Sequence, residues 1–200
     1  MPTQNDIFTI CNGRVKMTGS GYRTTEDAVL LADAVAVRPG AAGLSVLDVG
    51  IGPGGASLAL LNRVSGAKIT GVDISEDMIA RAGENAAMNG REIELIRGDI
   101  FTWRTARLFD VVMTNPPYFS GSARKDNSHH NIDIYKWVVA SVRRLRARGY
   151  FYAIAATGVF DKIIAALVDA GCGAITLTDA GGGRVIVAAR KNVKTPAAVF

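Results

Sequence analysis

Short unbroken apolar runs alternate along this chain with longer stretches whose apolar residues return every three or four positions. The first rhythm is that of a buried strand and the second that of a helix packed by one face. Ile7 to Ile10 and Arg14 to Met17 read as two β-type runs, with Asn12-Gly13 between them as a hairpin turn signal. Gly19-Ser20-Gly21 is a joint, after which Thr25 is placed to cap a helix from about Glu26 to Val37 that turns Ala28, Leu30, Leu31 and Val35 inward. Pro39, Gly40 and Gly43 then break the pattern, so residues 1–40 are expected to form an arm packed on a body of residues 41–200.

The body alternates regularly. Strands are expected at Ser45 to Val49, Lys68 to Asp73, Ile93 to Ile96, Phe109 to Thr114 and Gly149 to Ala156. Helices are expected from about Gly54 to Val64, from the Ser75 cap to the Asn89-Gly90 stop, from Ile132 to Arg146 and from Val159 to Ala170. Ala174 to Thr178 and Arg184 to Ala189 close the chain as a hairpin around Gly181-Gly182-Gly183, and the tail after Lys194 is expected to be loose. Repeated strand–helix units predict an α/β, Rossmann-like fold: a seven-stranded, mostly parallel sheet with an antiparallel last strand and helices on both faces.

Composition narrows the setting. No apolar run reaches the length of a membrane-crossing helix, and the start, MPTQNDIFTI, lacks the basic and apolar pattern of a secretory leader. Cys11 and Cys172 are the only cysteines, which predicts a reducing, cytoplasmic setting without disulfides. No zinc-site spacing is present, and the adjacent His129 and His130 read as a solvated pair in a polar loop. The 23 Lys+Arg against 18 Asp+Glu are compatible with a polyanionic partner without establishing one. A monomer is the expectation.

Chemistry enters at Val46 to Gly55, VLDVGIGPGG, where Gly50, Gly52, Gly54 and Gly55 open a helix directly after a strand. Glycines here let the chain turn tightly and let a ligand approach the main chain. The loop also fits the GxGxxG pattern at Gly50, Gly52 and Gly55, so by itself it serves a nicotinamide cofactor or S-adenosylmethionine equally. Two carboxylates sharpen the choice. Asp73, ending the second strand, can accept from both hydroxyls of an adenosine ribose, and Asp99, in IRGDI with Ile100, from the amino group of its adenine. Ile74 offers that adenine an apolar face.

Asn115-Pro116-Pro117-Tyr118 follows the fourth strand. Two prolines fix φ and remove two donors, and Asn115 is pushed extended. The resulting rigid turn displays two acceptors, the Asn115 side-chain oxygen and the Pro116 carbonyl, enough for both hydrogens of an exocyclic amine. Such a grip turns the nitrogen lone pair outward, toward an activated methyl group. Tyr118 offers a stacking face and Phe119 a second one.

In these segments the chain resembles class I methyltransferases with an NPPY motif, above all the bacterial valine-tRNA adenine-N6 methyltransferases. The resemblance rests on GRVKM, GYRTTEDAVLLA, VLDVGIGPGG, GVDIS, GDI and NPPYF, and covers nearly the whole chain. It departs from the usual family pattern at Met17 to Ser20 and at Thr24-Thr25. The resemblance implies that residues 41–200 are the methyltransferase domain. It implies that Gly50, Gly52, Gly54, Asp73 and Asp99 hold S-adenosylmethionine, with Asp48 near its methionine end. It implies that Asn115, Pro116, Pro117 and Tyr118 hold the target amine, that Arg23 and Asp27 flank the site, and that the partner is RNA, a tRNA above all.

Arg124 and Lys125, in the polar loop from Ser120 to Asn131, are candidates for phosphate contact; Lys136, Arg143, Arg144, Arg146 and Arg148 gather around the next helix as further candidates. The same NPPY chemistry also serves glutamine-N5 methylation of a release factor, guanine-N2 methylation of ribosomal RNA and adenine methylation of DNA. From other classes, a non-catalytic RNA-binding scaffold and an oxidoreductase built on the glycine loop stay open.

Overall fold

The computed structural model describes residues 7–18, 26–37, 43–117, 132–194 and 198–199. β1 (Ile7–Ile10) and β2 (Val15–Thr18) form an antiparallel hairpin. Its turn holds Cys11, Asn12 and Gly13 at positive φ, which Asn and Gly tolerate best. α1 (Glu26–Ala36) buries Ala28, Leu31, Ala32 and Val35, one helical stripe, while Leu30 is only half-buried.

The body places β3 (Ser45–Val49), α2 (Gly55–Arg63), β4 (Lys68–Asp73), α3 (Glu76–Met88) and β5 (Glu94–Arg97) in succession. β6 (Phe109–Thr114), α4 (Ile134–Val142), β7 (Leu145–Ala156), α5 (Phe160–Asp169), β8 (Cys172–Gly181), β9 (Arg184–Lys191) and β10 (Ala198–Val199) follow. The sheet order is β10-β8-β9-β7-β6-β3-β4-β5. β9 inserts between β7 and β8 and runs antiparallel to both; the pairings of β3 to β7 are parallel. The sheet thus holds the seven expected strands, the last of them, β9, antiparallel as the closing hairpin predicts, and an eighth, β10.

Strand alternation sorts the core. Val46, Val111, Met113 and Ile154 face α1, α2 and Ala86 of α3, whereas Leu47, Val49, Val112 and Phe151 face α4 and α5. From β3 the chain winds outward through β4 and β5, then returns to β6 on the other side. The carboxyl ends of β3 and β6 therefore border a switch-point crevice, the usual ligand position in this architecture.

Two expectations are corrected. The tail contributes Ala198–Val199 to the sheet, parallel to Thr176 and Leu177, because β8 would otherwise leave its outer backbone groups unpaired. The helix expected to reach Arg146 stops at Val142, and β7 begins at Leu145 rather than Gly149. There Leu145, fully buried, pairs with Phe109, and two steps along β6 then answer five along β7. The excess is taken up by Arg148 at φ 63, followed by Gly149, where a Cβ would stand 3.0 Å from the Asp110 carbonyl oxygen.

Candidate active site

Where β3 ends, the chain crosses onto β4. The backbone N–H groups of Gly50 and Ile51 both donate to the Val72 carbonyl, at 2.8 and 3.1 Å, pinning the loop against its neighbour. Ile51 sinks to 4% exposure because β4 carries Gly71 beneath it; a Cβ there would lie 2.2 Å from Ile51 Cδ1. Gly50, Gly52 and Gly54 take φ of 71, 54 and 88°, the left-handed region that glycine enters cheaply. A Cβ on Gly50 would meet Trp137 at 3.1 Å, whereas one on Gly52 would meet nothing within 4 Å. Gly52 thus presents bare backbone to open space.

Asp73 closes the loop from below. One carboxylate oxygen accepts from Gly52 N at 2.9 Å and the other from Ser75 N at 2.9 Å. The cap of α3 is Ser75, whose hydroxyl accepts from Met78 N, so Asp73 is not spent on the helix. A carboxylate offers about four acceptor sites; those two bonds leave the rest for hydroxyl donors. Asp99 shapes its own turn, its Oδ1 accepting from Phe101 N at 2.9 Å. Ile74 is 61% exposed beside Asp73. Ile100 does not share that surface: its side chain is 3% exposed, packed in the core, and Phe101 instead stands 45% exposed next to Asp99.

Beneath the loop lies a buried acid. Asp48 follows the strand's alternation toward α2, where Ser57 Oγ donates to it at 2.7 Å. Burial pushes its carboxyl up to about 7; the Ser57 hydrogen bond works against this and the nearby Asp73 charge adds to it.

The Asn115-Pro116-Pro117 turn leaves β6 beside the glycine loop, since Thr114 pairs with Val49. Thr114 Oγ1 donates to the Val49 carbonyl at 2.8 Å and accepts from Trp137 Nε1 at 3.0 Å, tying the ends of β3, β6 and α4 together. Trp137 also meets Phe101 edge-on, with ring centroids 6.1 Å apart. Asn115 is half-buried, Pro116 buried and Pro117 exposed. Thr25, Arg23, Tyr118, Phe119, Arg124 and Lys125 lie outside the described residues.

Three residues escape sequence reasoning. Trp137 and Phe101 look like ordinary core aromatics. Asn85, fully buried in α3, accepts from Thr18 N and donates to the Pro53 carbonyl, both at 2.9 Å, so one amide joins the N-terminal hairpin to the glycine loop. A polar residue on the inner side of a helix was the only available signal. Asp27 is held by Arg184 at 2.6 Å, which anchors α1 to the β8–β9 hairpin. The Arg143 to Arg148 cluster does not join the amine turn: it sits where β7 begins, at the other end of the sheet, with Arg144 buried. A cavity of about 720 Å³, lined by Ser45, Lys68 and Arg107, likewise opens at the amino ends of the strands, away from the glycine loop.

Residues 46–126 match the family model of a methyltransferase domain. A tRNA1(Val) (adenine(37)-N6)-methyltransferase of Phocaeicola vulgatus is 33% identical over 159 residues, 74% of this chain and 63% of that protein. A release factor glutamine methyltransferase of Geobacter sulfurreducens is 27% identical over 179 residues, 81% of this chain and 62% of that protein. The chain spans less than two thirds of the length of these relatives. A T. thermophilus 16S rRNA N2 methyltransferase, solved with S-adenosylmethionine and guanosine, matches with a TM-score of 0.71 at 22% identity, over 88% of this chain and 47% of that one. The fold is that of the class I methyltransferases, whose methyl donor is S-adenosylmethionine, and residues 46–126 carry the match to a methyltransferase domain. The relatives include proteins named for adenine N6 in tRNA and proteins named for glutamine in release factors.

Proposed function

We propose that this protein is an S-adenosylmethionine-dependent N-methyltransferase that methylates the N6 amino group of an adenine in tRNA. The observation that carries the reading is the juxtaposition of two loops. The Asn115-Pro116-Pro117 turn leaves β6 beside the open face of Gly52 and the Asp73 carboxylate, with Thr114 bonded to Val49 between them.

In this reading Gly50, Gly52 and Gly54 shape the cradle and Asp73 accepts from the cofactor ribose. Asp99 and the backbone at Ile100 meet its adenine, with Ile74 and Phe101 as apolar faces. Asp48 stands near the methionine end. When bound, the cofactor supplies a sulfonium-activated methyl group. The chain's task is then positioning, which alone can lower a barrier by several kcal/mol. Asn115 Oδ1 and the Pro116 carbonyl accept the two amine hydrogens and aim its lone pair at the methyl carbon. Pro117 stiffens the turn. Tyr118 stacks on the base, which must leave its neighbours to enter. Arg23, Phe119, Arg124 and Lys125 are further candidates for substrate contact. No strong base is needed beforehand, because the nitrogen grows more acidic as it gains the methyl group.

Glutamine-N5 methylation is the second reading, supported by the match across 81% of this chain to a release factor enzyme. A primary amide also presents an NH2 with a delocalised lone pair. Labelled S-adenosylmethionine, offered with unmodified tRNA and separately with release factor, decides between them after digestion of each product. N6-methyladenosine from the tRNA is expected; label recovered only as N5-methylglutamine overturns the adenine assignment.

A further inference from the structure

The amino ends of β6 and β7 carry a crowd of arginines that the amine site does not use. Arg104, Arg143, Arg146 and Arg148 are exposed there. Arg146 pairs with Asp110 at 2.7 Å. Arg104, Arg143 and Arg148 make no ion pair among the described residues. Like charges gathered on a surface repel.

The backbone that carries them is anchored through a buried neighbour. Arg144 donates to the carbonyls of Ala140 and Trp103 and lies 5.7 Å from the Trp103 ring centre. Burial, and then the charges of Arg143 and Arg104, push its guanidinium down from its ordinary value. Its own backbone carbonyl accepts from Phe109 N at 2.8 Å, fixing this corner to the first residue of β6. Free guanidiniums on a rigid corner suit phosphate, which they bind as a planar fork.

The distance matters. Asn115 follows the last residue of β6, and six extended residues from Phe109 span about 20 Å. A single nucleotide held at Asn115 cannot reach this corner, whereas the helical part of a folded RNA can. We propose that Arg104, Arg143 and Arg148 form a second RNA contact, which grips backbone phosphates of a structured RNA about 20 Å from the target base. The inference rests on the RNA reading of the amine site and adds a surface that selects folded RNA over short strands.

The test uses the full chain carrying Arg104→Ala, Arg143→Ala and Arg148→Ala together, with the triple Arg→Lys variant beside it. Fluorescence anisotropy with tRNA across a salt series reads binding directly, whether or not transfer occurs. Three lost phosphate contacts should reduce the slope of log Kd against log salt by about 2–3 and raise Kd at least about tenfold near 0.1 M salt. The Lys variant should keep most of both. Affinity for a short single strand should be unchanged in every variant. An unaltered tRNA slope in a folded Ala variant overturns the surface, as does an equal loss for tRNA and for the short strand. Wild-type protein that binds tRNA with this slope yet never methylates it sinks the adenine reading alone.

Discussion

The buried acid beneath the glycine loop makes a quantitative demand on stability. Asp48 is 2% exposed, and burial pushes its carboxyl up to about 7 against an ordinary value of 3.8. Below 3.8 both native and unfolded chains hold the proton, so the group contributes nothing. Between 3.8 and about 7 only the native chain keeps it, and native stability falls by about 1.4 kcal/mol per pH unit. Above that window the loss is complete, about 4 kcal/mol from the gap between the two values. Asp48→Asn removes the titration and keeps an oxygen for the Ser57 hydroxyl. The variant's unplaced NH2 shifts its absolute stability, so the slope carries the test. Urea unfolding should show the variant gaining on the wild type steadily from pH 4 to pH 7 and holding constant above, with equal m values. A difference independent of pH would refute the burial argument, and one of opposite slope would mean that the native fold favours the charged carboxylate.

Other expectations follow from the same residues. The proposed seat of the cofactor's methionine end beside Asp48 predicts that binding expels the Asp48 proton, since a neighbouring cation favours the carboxylate; calorimetry near pH 6.5 in buffers of different ionisation enthalpy should show proton release in the wild type and none in Asp48→Asn, and equal release in both would move the methionine end elsewhere. Gly50→Ala combines a left-handed φ with a 3.1 Å approach to Trp137 and should cost about 2–3 kcal/mol of stability. Gly52→Ala, with open space above it, should cost about 1 kcal/mol while weakening S-adenosylmethionine binding more than tenfold; unchanged calorimetric affinity would count against the cradle. Asn85→Ala strands Thr18 N and the Pro53 carbonyl, an expected cost of about 2–5 kcal/mol in urea unfolding; a loss below 0.5 kcal/mol would deny the bridge between hairpin and loop.

Much of this architecture is legible in the residue pattern because the strands that matter are buried on both faces. β3, β4 and β6 end at Asp48-Val49, Asp73 and Thr114, where an apolar run gives way to groups that need partners, and their expected bounds coincide with those observed. The site loops follow at once, so Gly50, Asp73 and Asn115 could be placed from sequence. The region around Arg143 to Arg148 could not: its Arg-rich stretch has helical composition, and only the tertiary capture of Arg144 and the pairing of Leu145 turn it into strand. Ile100 and Phe101 show the same limit. Neighbours of similar hydrophobicity are told apart by which one the Asp99 turn rotates inward. The insertion of β9 between β7 and β8 is likewise a property of packing, invisible in a strand count.

The central claim is that the ends of β3 and β4 seat the methyl donor while the turn after β6 grips the accepting amine. Asn115→Ala separates the two functions. Calorimetry with S-adenosylmethionine and single-turnover transfer to tRNA, run on the same preparation, should give a dissociation constant within about twofold of the wild type and a rate lower by at least about tenfold. Wild-type transfer by this variant would contradict the account.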